Sequence, residues 1–503
     1  MTFRKDWIDR WAGYAPIKMA VNDAHSGEYY TYLQLNNQAN YMAQRLEELG
    51  LKSGDRVAVL AEYCLEYIVL MGAAMKTGVT IVPLNYRLSS REIAYMINNC
   101  EPKLIICEEK FGELYDPNLI EITSPTRMWV SEISADLKTR LNTMHAFPSA
   151  SLSDDHPLFI IYTSGTTGFP KGAIYTYKMA FWNAVNTQIR LDITSRDHTV
   201  ICMPPFHTGG WNVLLFPFLL QGGSFTLLRK FDASAVMKLL EDEEATLFMG
   251  VPTMLKMMAE VEGFQSTSLE SLRYFIVGGE AMPLPLIELW EKKGIPIRQG
   301  FGLTEVGPNV FSLHHDDAIR KIGSIGTPNF FVEAKLMKED GVEAGVGEAG
   351  ELWLKGPVTT PGYWNNPSAT DAAFVDGWFK TGDILQVDEE GYYFVKDRIK
   401  NMFISGGENV YPAEIERLLQ THPAIEEVAV LGVPDERWGE VGKAILISKD
   451  PSLTQQDILE FCYGRIAKFK IPKHIHFADA IPKTESGKID RKALGDFISY
   501  SNQ

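Results

Sequence analysis

The segment RVAVLAEYCLEYIVLMGAAMKTGVTIVPLN, residues 56–85, decides the fold. Its first apolar run, RVAVLAEY, predicts a strand. The longer apolar segment CLEYIVLMGAAMKTG predicts a helix that ends at a glycine, and VTIVPLN predicts a second strand. A strand, a helix and a strand in this order predict a βαβ unit with parallel strands.

The alternation of predicted strands and helices continues before and after a glycine-rich loop that lies further along the chain. SSREIAYMINNC predicts a helix with a serine cap, and KLIICEE predicts a third strand, which makes the first block βαβαβ. A second block has the strand-like segments TVICMPPF, SFTLLRKF, ATLFMGVP, RYFIVGGE and IPIRQGFG, with the helical segments ASAVMKLLEDEE and LPLIELWEKKG between them. Two such blocks predict an α/β fold with two sheet layers in a large N-terminal region.

From about Val332 the sequence no longer alternates between predicted strands and long helices. GELWLKGP and GYYFVKDR are short, turn-bounded strands, which predict a small β-rich subdomain. Near Lys400 a different unit begins, in which YPAEIERLLQTHPAIEEVAVLGVPD predicts a helix, a turn and a strand. We therefore predict an N-terminal domain over residues 1–399 and a compact α+β C-terminal lid over residues 400–503, joined by a short hinge.

Composition limits the classes of function. A chain of 503 residues is too long for one hydrophobic core, so two or more domains are expected. The formal net charge of -16 argues against nucleic acid as the main partner. Five scattered cysteines without a CxxC pair favour buried free thiols in a reducing cytoplasm. The N-terminus lacks an apolar signal core, and the apolar run from Trp211 is broken by Pro217, so no transmembrane span is expected.

The loop YTSGTTGFPKG, residues 162–172, has the chemistry of a phosphate site. It follows the strand-like segment PLFIIYT, and its small residues allow backbone N–H groups to approach phosphate oxygens. Hydroxyl groups add donors, and Lys171 adds a positive charge. Pro170 precedes that lysine and the spacing is not that of the common nucleotide loop, so we expect a mobile, hairpin-like loop instead of a helix-capped cradle.

This loop resembles the phosphate loop of the adenylate-forming enzymes, the superfamily of acyl- and aryl-CoA synthetases, peptide-synthetase adenylation domains and luciferases. Further motifs support the resemblance in the expected order over nearly the full length of the chain. The resemblance implies that the cofactors are ATP, Mg²⁺ and CoA, and that the C-terminal lid is mobile. It also implies a nucleotide site that includes Thr163, Ser164, Gly165, Thr166, Thr167, Gly168 and Lys171.

A second motif, QGFGLTEVGP from Gln299, resembles the adenine and metal part of that site. The resemblance implies that Phe301, at a position where the family usually has tyrosine, stacks on adenine. It implies that Thr304 donates to the α-phosphate and that Glu305, with Thr163, is a ligand of Mg²⁺. Further cofactor-binding residues implied here are Gln299, Gly300 and Gly302, together with Gly278, Gly279 and Glu280 from VGGEAMP.

Four motifs toward the C-terminus complete the implied site. GWFKTGD places Asp383 at the family's ribose-binding acid, and KDRIK places Arg398 near the ribose and phosphates and Lys400 at the hinge. ISGGENVYPAEIE resembles the loop that lines the pantetheine tunnel of CoA ligases, through Gly406 and Gly407. PKTESGKIDR places Lys488 at the family's catalytic lysine. The implied catalytic residues are Lys488, Glu305, Thr304, His207 and Lys171.

The acid pocket is expected to be mostly apolar. PPFHTGGWN places His207 at the family's gate beside this pocket, and its remaining candidates are Trp211, Val277, Gly302 and Val306, with Val213, Leu214, Phe216 and Gly278 nearby. No obvious charge is available for an amino acid or a dicarboxylate. The motifs are most similar to bacterial medium- to long-chain fatty-acyl-CoA synthetases and next to 4-coumarate-type aryl ligases. Tyr177, where many relatives have histidine, leaves that choice open.

We therefore expect a cytoplasmic ligase that activates a carboxylic acid with ATP and transfers it to CoA. The alternatives are an aryl-CoA ligase, an acyl-adenylate donor to a carrier protein, a nucleotide-binding pseudoenzyme and an oxidative, light-emitting enzyme. The intact Lys488, Glu305 and Asp383 argue against the pseudoenzyme. The expected partners are the small acid and CoA, without nucleic acid. A weak peripheral membrane contact and a homodimer are left open.

Overall fold

A computed structural model describes most of the chain. The described residues are 5–123, 125–139, 146–163, 170–279, 282–405, 408–435, 437–463, 465–466, 468–484, 488–491 and 493–495. The chain divides into two compact units. The first unit comprises residues 1–334 and 354–379, and the second comprises residues 335–353 and 380–503.

The first unit contains two sheets. Its strands are β1 (Met19–Asp23), β2 (Glu28–Thr31), β3 (Arg56–Leu60), β4 (Thr80–Pro83), β5 (Leu104–Cys107), β6 (Thr126–Trp129), β7 (Pro157–Thr163), β8 (Lys171–Thr176), β9 (His198–Ile201), β10 (Ser224–Leu227), β11 (Leu247–Gly250), β12 (Tyr274–Val277), β13 (Ile297–Phe301), β14 (Phe311–Leu313) and β15 (Ser324–Pro328). One sheet has the order β6-β5-β3-β4-β7-β8. The other contains β2-β1-β10-β9-β11-β12-β13-β14-β15 in that order.

Both sheets are mainly parallel, as the βαβ pattern predicts. In the first sheet β6, β5, β3, β4 and β7 run parallel, and β8 closes the edge as an antiparallel hairpin partner of β7. In the second sheet the strands from β1 to β13 along the sheet are parallel, and β2, β14 and β15 are antiparallel to their neighbours. The two predicted sheet layers are thus confirmed.

Helices connect and cover these strands. They are α1 (Trp7–Tyr14), α2 (Tyr32–Glu48), α3 (Leu65–Thr77), α4 (Ser90–Cys100), α5 (Val130–Thr139), α6 (Tyr177–Leu191), α7 (Thr208–Asn212), α8 (Leu215–Gln221), α9 (Ala233–Asp242), α10 (Pro252–Ala259), α11 (Leu284–Lys292) and α12 (Pro367–Ala373). α3 is buried on nearly all sides, and it ends at Gly78, whose φ of 77° lies in the left-handed region. The predicted serine cap of α4 is confirmed, because Ser89 and Glu92 form a reciprocal capping box.

An aromatic cluster lies at the centre of the largest core. Trp211 is fully buried, and its ring centroid lies 5.0 Å from Tyr63, 5.1 Å from Tyr67 and 5.0 Å from Phe159. These residues come from α7, from α3 and its preceding turn, and from β7. The apolar run after Trp211 therefore forms core helices.

The second unit is an α+β structure. It contains β16 (Glu333–Met337), β17 (Ala349–Lys355), β19 (Trp378–Val387) and β20 (Tyr393–Arg398) in the sheet order β16-β17-β19-β20, and β16, β17 and β19 each begin or end in the first unit. The two-residue β18 (Phe374–Val375) pairs with the start of β19 in the first unit. A second sheet has the order β22-β21-β24-β23, with β25 beside β24. Its elements are β21 (Phe403–Ser405), β22 (Glu408–Val410), α13 (Pro412–Gln420), β23 (Ile425–Asp435), β24 (Gly439–Ser448), α14 (Gln455–Cys462) and β25 (His474–Phe477).

These observations settle several expectations from the sequence. The α/β class, the β-rich segment after Val332 and the α+β C-terminal portion are confirmed. The domain boundary at residue 399 and the hinge at Lys400 stay predictions. All five cysteines are buried and free, as expected. Within the described residues, no helix has both the length and the apolar character needed to cross a bilayer.

Candidate active site

The base of the predicted phosphate loop is a β-hairpin. Thr163 at the end of β7 pairs in antiparallel register with Lys171 at the start of β8, and both residues are half-buried. The intervening residues Ser164–Gly168 lie outside the described part of the chain. Antiparallel strands on both sides agree with the expected hairpin, because a helix-capped cradle would place a helix where β8 begins.

Beside this hairpin lies a buried carboxylate. Glu305 is only 9% exposed in the 3₁₀ turn Thr304–Val306. Its Oε1 accepts hydrogen bonds from the Thr163 hydroxyl at 3.4 Å and from the Tyr363 hydroxyl at 3.0 Å. Its backbone carbonyl accepts one from the Thr360 N–H at 2.7 Å. Carboxylate and hydroxyl oxygens are the donor atoms that Mg²⁺ prefers, so Thr163 and Glu305 fit the predicted metal site.

Tyr363 joins the carboxylate to the lysine of the hairpin. The Lys171 ammonium lies 5.3 Å from the centroid of the Tyr363 ring, within cation–π distance. Burial and then the Glu305 charge raise the pKa of Tyr363 above its ordinary value of 10.0, so its hydroxyl stays protonated and donates to the carboxylate. Tyr363 thus contacts both charged groups through different parts of one side chain.

The turn that presents Glu305 requires a glycine before it. A Cβ on Gly302 would lie 2.3 Å from the backbone oxygen of Pro308, so a larger residue would displace the turn. Thr304 begins the turn and is half-buried. The ring of Phe301, at the end of β13, makes an edge contact with Phe311 at 6.0 Å. The close approach at Gly302 therefore fixes the path of the chain from β13 to Glu305.

A buried donor lies on the predicted adenine side. Gln299 in β13 is 5% exposed, and its Oε1 accepts a hydrogen bond from the Met282 N–H at 3.1 Å. Its Nε2 has no hydrogen-bond partner among the described residues, so a ligand acceptor at this strand end would satisfy it. Gly278 and Gly279 follow the neighbouring strand β12, and Gly279 has a φ of 85°. Gly300 lies between Gln299 and Phe301, and Glu280 lies outside the described residues.

The second unit contains the predicted ribose acid. The Asp383 carboxylate is 2% exposed, and its Oδ1 lies 2.8 Å from Nε of Arg398 on the adjacent strand β20. The two residues predicted near the ribose are therefore in direct contact. The backbone of Lys400 lies in the 3₁₀ turn Ile399–Asn401, and its side chain is outside the described part. Gly406 and Gly407 are also outside it.

Lys488 lies in an exposed turn near the C-terminus. Its carbonyl accepts a hydrogen bond from the Thr484 N–H at 2.7 Å, and Lys483 and Ile489 form an antiparallel bridge beside it. The turn thus presents the lysine at the surface of the second unit, and its catalytic role stays a prediction.

The predicted acid-pocket residues are buried or half-buried. His207 is half-buried before α7, and its ring centroid lies 4.6 Å from that of Phe206. Trp211, Val277 and Val306 are fully buried. Val213, Leu214 and Phe216 are also buried. Because core residues have the same burial, the assignment of these side chains to an acid pocket stays a prediction.

Family models match both parts of the chain. The AMP-binding enzyme model matches residues 8–364, and the AMP-binding enzyme C-terminal domain model matches residues 414–488. The chain belongs to the AMP-binding enzyme family.

Relatives of this AMP-binding enzyme have several named substrates. It is 38% identical to the long-chain-fatty-acid–CoA ligase FadD13 of Mycobacterium tuberculosis (strain ATCC 25618 / H37Rv), and the match covers 93% of each chain. It is 36% identical to feruloyl-CoA synthase of Amycolatopsis sp, with 96% of each chain covered. Among solved structures, O-succinylbenzoate coenzyme A synthetase (MenE) from Bacillus subtilis, in complex with ATP and magnesium ion, is similar with a TM-score of 0.87 and 31% identity, covering 98% of this chain and 99% of that one. The predicted family resemblance is confirmed.

The sequence did not identify two contacts of this AMP-binding enzyme's candidate site. Tyr363 lies 58 residues from Glu305, and no motif connects the two. Asp397 is 4% exposed and accepts hydrogen bonds from the Arg398 and Ala413 N–H groups and from the Asn401 amide. It therefore fastens the turn that contains Lys400 to the start of α13. A glycine before an aromatic residue, as in Gly362-Tyr363, was the only local signal for the first contact.

Proposed function

We propose that this enzyme activates a mostly apolar, fatty carboxylic acid as an acyl-adenylate and transfers the acyl group to CoA, releasing pyrophosphate and AMP. At the coarser level the chain is an AMP-forming acyl-CoA synthetase that uses ATP, Mg²⁺ and CoA. The fatty nature of the acid is the proposed part. It is supported by the apolar character of the candidate pocket and by the similarity to a long-chain-fatty-acid–CoA ligase.

One observation carries the assignment of the adenylation site. At the base of the glycine-rich hairpin the Glu305 carboxylate accepts from the Thr163 hydroxyl, and Tyr363 contacts both Glu305 and the Lys171 ammonium. This arrangement combines oxygen ligands for a hard cation with a positive charge for a phosphate. Mg²⁺ held by Thr163 and Glu305 would neutralise charge on the phosphates of ATP.

The chemistry then proceeds in two displacements. A carboxylate oxygen of the acid attacks the α-phosphorus of ATP, the bond to the β-phosphate bridging oxygen breaks, and pyrophosphate leaves. Lys171, Thr304 and Lys488 contribute donors and positive charge to the oxygens on which charge accumulates. In the second displacement the CoA thiol gives its proton to solvent and its sulfur bonds to the acyl carbon. The bond from that carbon to the phosphate oxygen of AMP breaks, and AMP leaves with the bonding electrons.

The remaining nucleotide contacts are assigned as part of the same proposal. We assign the ribose hydroxyls to Asp383, with Arg398 alongside, because a buried carboxylate accepts two O–H donors well. We assign the adenine to Phe301, Gln299 and the glycines of residues 278–279. The Nε2 of Gln299, which has no hydrogen-bond partner among the described residues, supports this placement.

The same proposal assigns roles to residues of the C-terminal part. Lys400 acts as the hinge, Lys488 acts in acyl-adenylate formation, and Gly406 and Gly407 line the pantetheine arm of CoA in thioester formation. His207 lies beside the acid pocket. Five free buried cysteines favour a cytoplasmic setting. A homodimer and a weak peripheral membrane contact stay predictions.

A panel of acids tests the proposal directly. The purified enzyme is incubated with ATP and Mg²⁺ and with decanoate, palmitate, ferulate or o-succinylbenzoate, with and without CoA, and AMP is measured. We expect multiple-turnover AMP release that requires CoA and is fastest with decanoate or palmitate. Faster AMP release with ferulate or o-succinylbenzoate would contradict the fatty-acid proposal and assign an aromatic acid as the substrate. Turnover with a carrier protein but not with CoA would overturn the ligase assignment.

A further inference from the structure

A five-residue segment, Thr360–Trp364, contacts both charged residues at the base of the hairpin, Glu305 and Lys171. Its first residue donates from its N–H to the Glu305 carbonyl at 2.7 Å, and Tyr363 donates from its hydroxyl to the Glu305 carboxylate at 3.0 Å. The Tyr363 ring lies against Lys171 at 5.3 Å. The segment therefore holds both the backbone and the side chain of Glu305.

The backbone of this segment is fixed independently of the Tyr363 hydroxyl. The Ile174 N–H donates to the Gly362 carbonyl at 3.1 Å, and the Trp364 N–H donates to the Gly172 carbonyl at 2.7 Å, so the segment pairs with β8. The Thr370 hydroxyl accepts from the Tyr363 N–H at 2.9 Å. Because these bonds involve only backbone groups of Tyr363 and its neighbours, removal of its hydroxyl should leave the segment in place.

We propose that Tyr363 is a positioning residue for the metal and phosphate groups of the first step. Its hydroxyl fixes one oxygen of the Glu305 carboxylate, and its ring fixes the ammonium of Lys171. The carboxylate that would hold Mg²⁺ and the ammonium that would face a phosphate are thereby both contacted by one side chain, on a segment that pairs with β8. This inference rests on the proposed function, since Glu305 is a metal ligand only within it.

A physical argument supports a role in orientation. A carboxylate that binds a metal must point one oxygen at it. A hydrogen bond to one carboxylate oxygen fixes the orientation of the group and so determines which oxygen faces the metal. Glu305 is buried, so water cannot readily replace the donor if the Tyr363 hydroxyl is removed. Lys171 has a long and flexible side chain, and contact with an aromatic face limits its orientations.

Two substitutions separate the two functions of this side chain. Tyr363→Phe removes the hydroxyl and keeps the ring, and Tyr363→Leu removes both. The matched control is Tyr30→Phe, because the hydroxyl of Tyr30 also donates to a carboxylate, that of Glu28, at 2.5 Å in another part of the first unit. Tyr30 is buried, whereas Tyr363 is half-buried. Thermal unfolding of each variant accompanies the binding measurements.

The direct readout is metal binding. Mn²⁺ is titrated in the presence of α,β-methylene-ATP and followed by electron paramagnetic resonance. We expect Tyr363→Phe to raise the Kd for Mn²⁺ by about 10- to 100-fold, which is the usual effect of removing a group that orients a metal ligand. Tyr30→Phe should leave this Kd within about twofold of wild type. Without metal, Tyr363→Leu should weaken analogue binding, whereas Tyr363→Phe should not, since it retains the ring beside Lys171.

The outcomes distinguish this inference from the proposed function. A wild type that makes acyl-CoA, together with a Tyr363→Phe variant that binds Mn²⁺ as tightly as wild type, overturns the positioning role alone. An equal loss of Mn²⁺ affinity in Tyr30→Phe also overturns it, because the effect would then be general. If Tyr363→Phe shows the predicted loss of Mn²⁺ affinity but the wild type activates no acid, the proposed function is overturned, and with it the role of Tyr363 in the first step, whereas its orientation of the metal ligand is supported. Absence of Mn²⁺ binding by the wild type overturns both.

Discussion

At the scale of single residues, buried polar groups in this enzyme are placed against specific partners. Glu305 illustrates this, since two hydroxyl groups and a backbone N–H are within hydrogen-bond distance of its oxygens. A buried carboxylate without such donors would be strongly disfavoured. The same reasoning applies to His198, which is half-buried in β9 between the hydroxyls of Ser224 and Thr226, at 2.8 and 2.9 Å.

His198 predicts a pH dependence of stability. Burial lowers the pKa of His198 from 6.5 to about 4, and the charge of Glu243 opposes the shift only in part. Between these values the unfolded chain takes up a proton that the folded chain does not, so stability falls as pH falls from 6.5 to 4. At pH 5 this residue should cost about 2 kcal/mol relative to pH 7.

Urea unfolding at pH 7 and pH 5 checks this expectation in wild type and in His198→Gln, which retains hydrogen-bonding groups. The variant should lose about 2 kcal/mol less than wild type on acidification. Equal losses in the two proteins would contradict the assignment.

Residues with a distinctive local motif could be predicted from the sequence, and those defined by long-range contact could not. Thr163, Lys171 and Glu305 were singled out because glycine, hydroxyl and charged residues cluster around them in known motifs, and the structure places these three together. Tyr363 and Asp397 gave no such signal, since their partners are brought close only by strand pairing and by the start of α13. Sequence patterns encode chemistry along the chain, whereas these contacts depend on the fold.

At the scale of elements, an ion pair fastens three helices of the first unit. Lys76 in α3 is fully buried, and its Nζ lies 2.5 Å from Oδ2 of Asp6, the N-cap of α1. The same ammonium donates to the Asn36 side chain in α2 at 2.8 Å. Because the neighbours of this pair are buried, neither charge can be solvated if the other is removed.

Lys76→Met should therefore lower the free energy of unfolding by about 3–5 kcal/mol, as expected when one charge of a buried pair is left alone. The double variant Lys76→Met/Asp6→Asn should recover most of this loss, because no uncompensated charge remains. Urea denaturation measures both. Lys238→Met, which breaks the exposed pair with Asp242, serves as the control and should leave stability nearly unchanged. A double variant as unstable as the single one would argue against the charge explanation.

The parallel strands and their helices could be predicted because each has a local pattern of apolar residues. The segment over residues 56–85 became β3, α3 and β4 within a few residues of expectation. The attachment of β1 to β10 could not be foreseen, since Val21 pairs with Phe225 across most of the first unit. A strand of five residues such as β1 depends on such distant partners more than on its own sequence.

At the scale of the whole molecule, an acidic protein must bind two polyanionic cosubstrates. The net charge of -16 opposes ATP and CoA at long range, so local cations have to supply the attraction. Lys171, Arg398 and Lys488 are the candidates, and they belong to different compact units. Such a division is consistent with the proposal that the two half-reactions use different residues of the C-terminal part.

Lys400→Pro tests the hinge at this scale. Proline fixes φ and restricts the preceding residue, so a rotation at this position should be hindered. We expect acyl-adenylate formation, measured as pyrophosphate release in a single turnover without CoA, to stay within about threefold of wild type, and thioester formation from the isolated adenylate to fall by about 100-fold. Equal losses in both half-reactions would refute the hinge role.

The exchange of labelled pyrophosphate into ATP tests the formation of a mixed anhydride most directly, because it needs neither CoA nor any motion that follows adenylation. With decanoate or palmitate present, wild type should catalyse acid-dependent exchange, and Lys488→Ala should reduce its rate by about 100- to 1000-fold. If wild type with Mg²⁺ shows no exchange above the acid-free rate for any apolar acid, the central claim is contradicted.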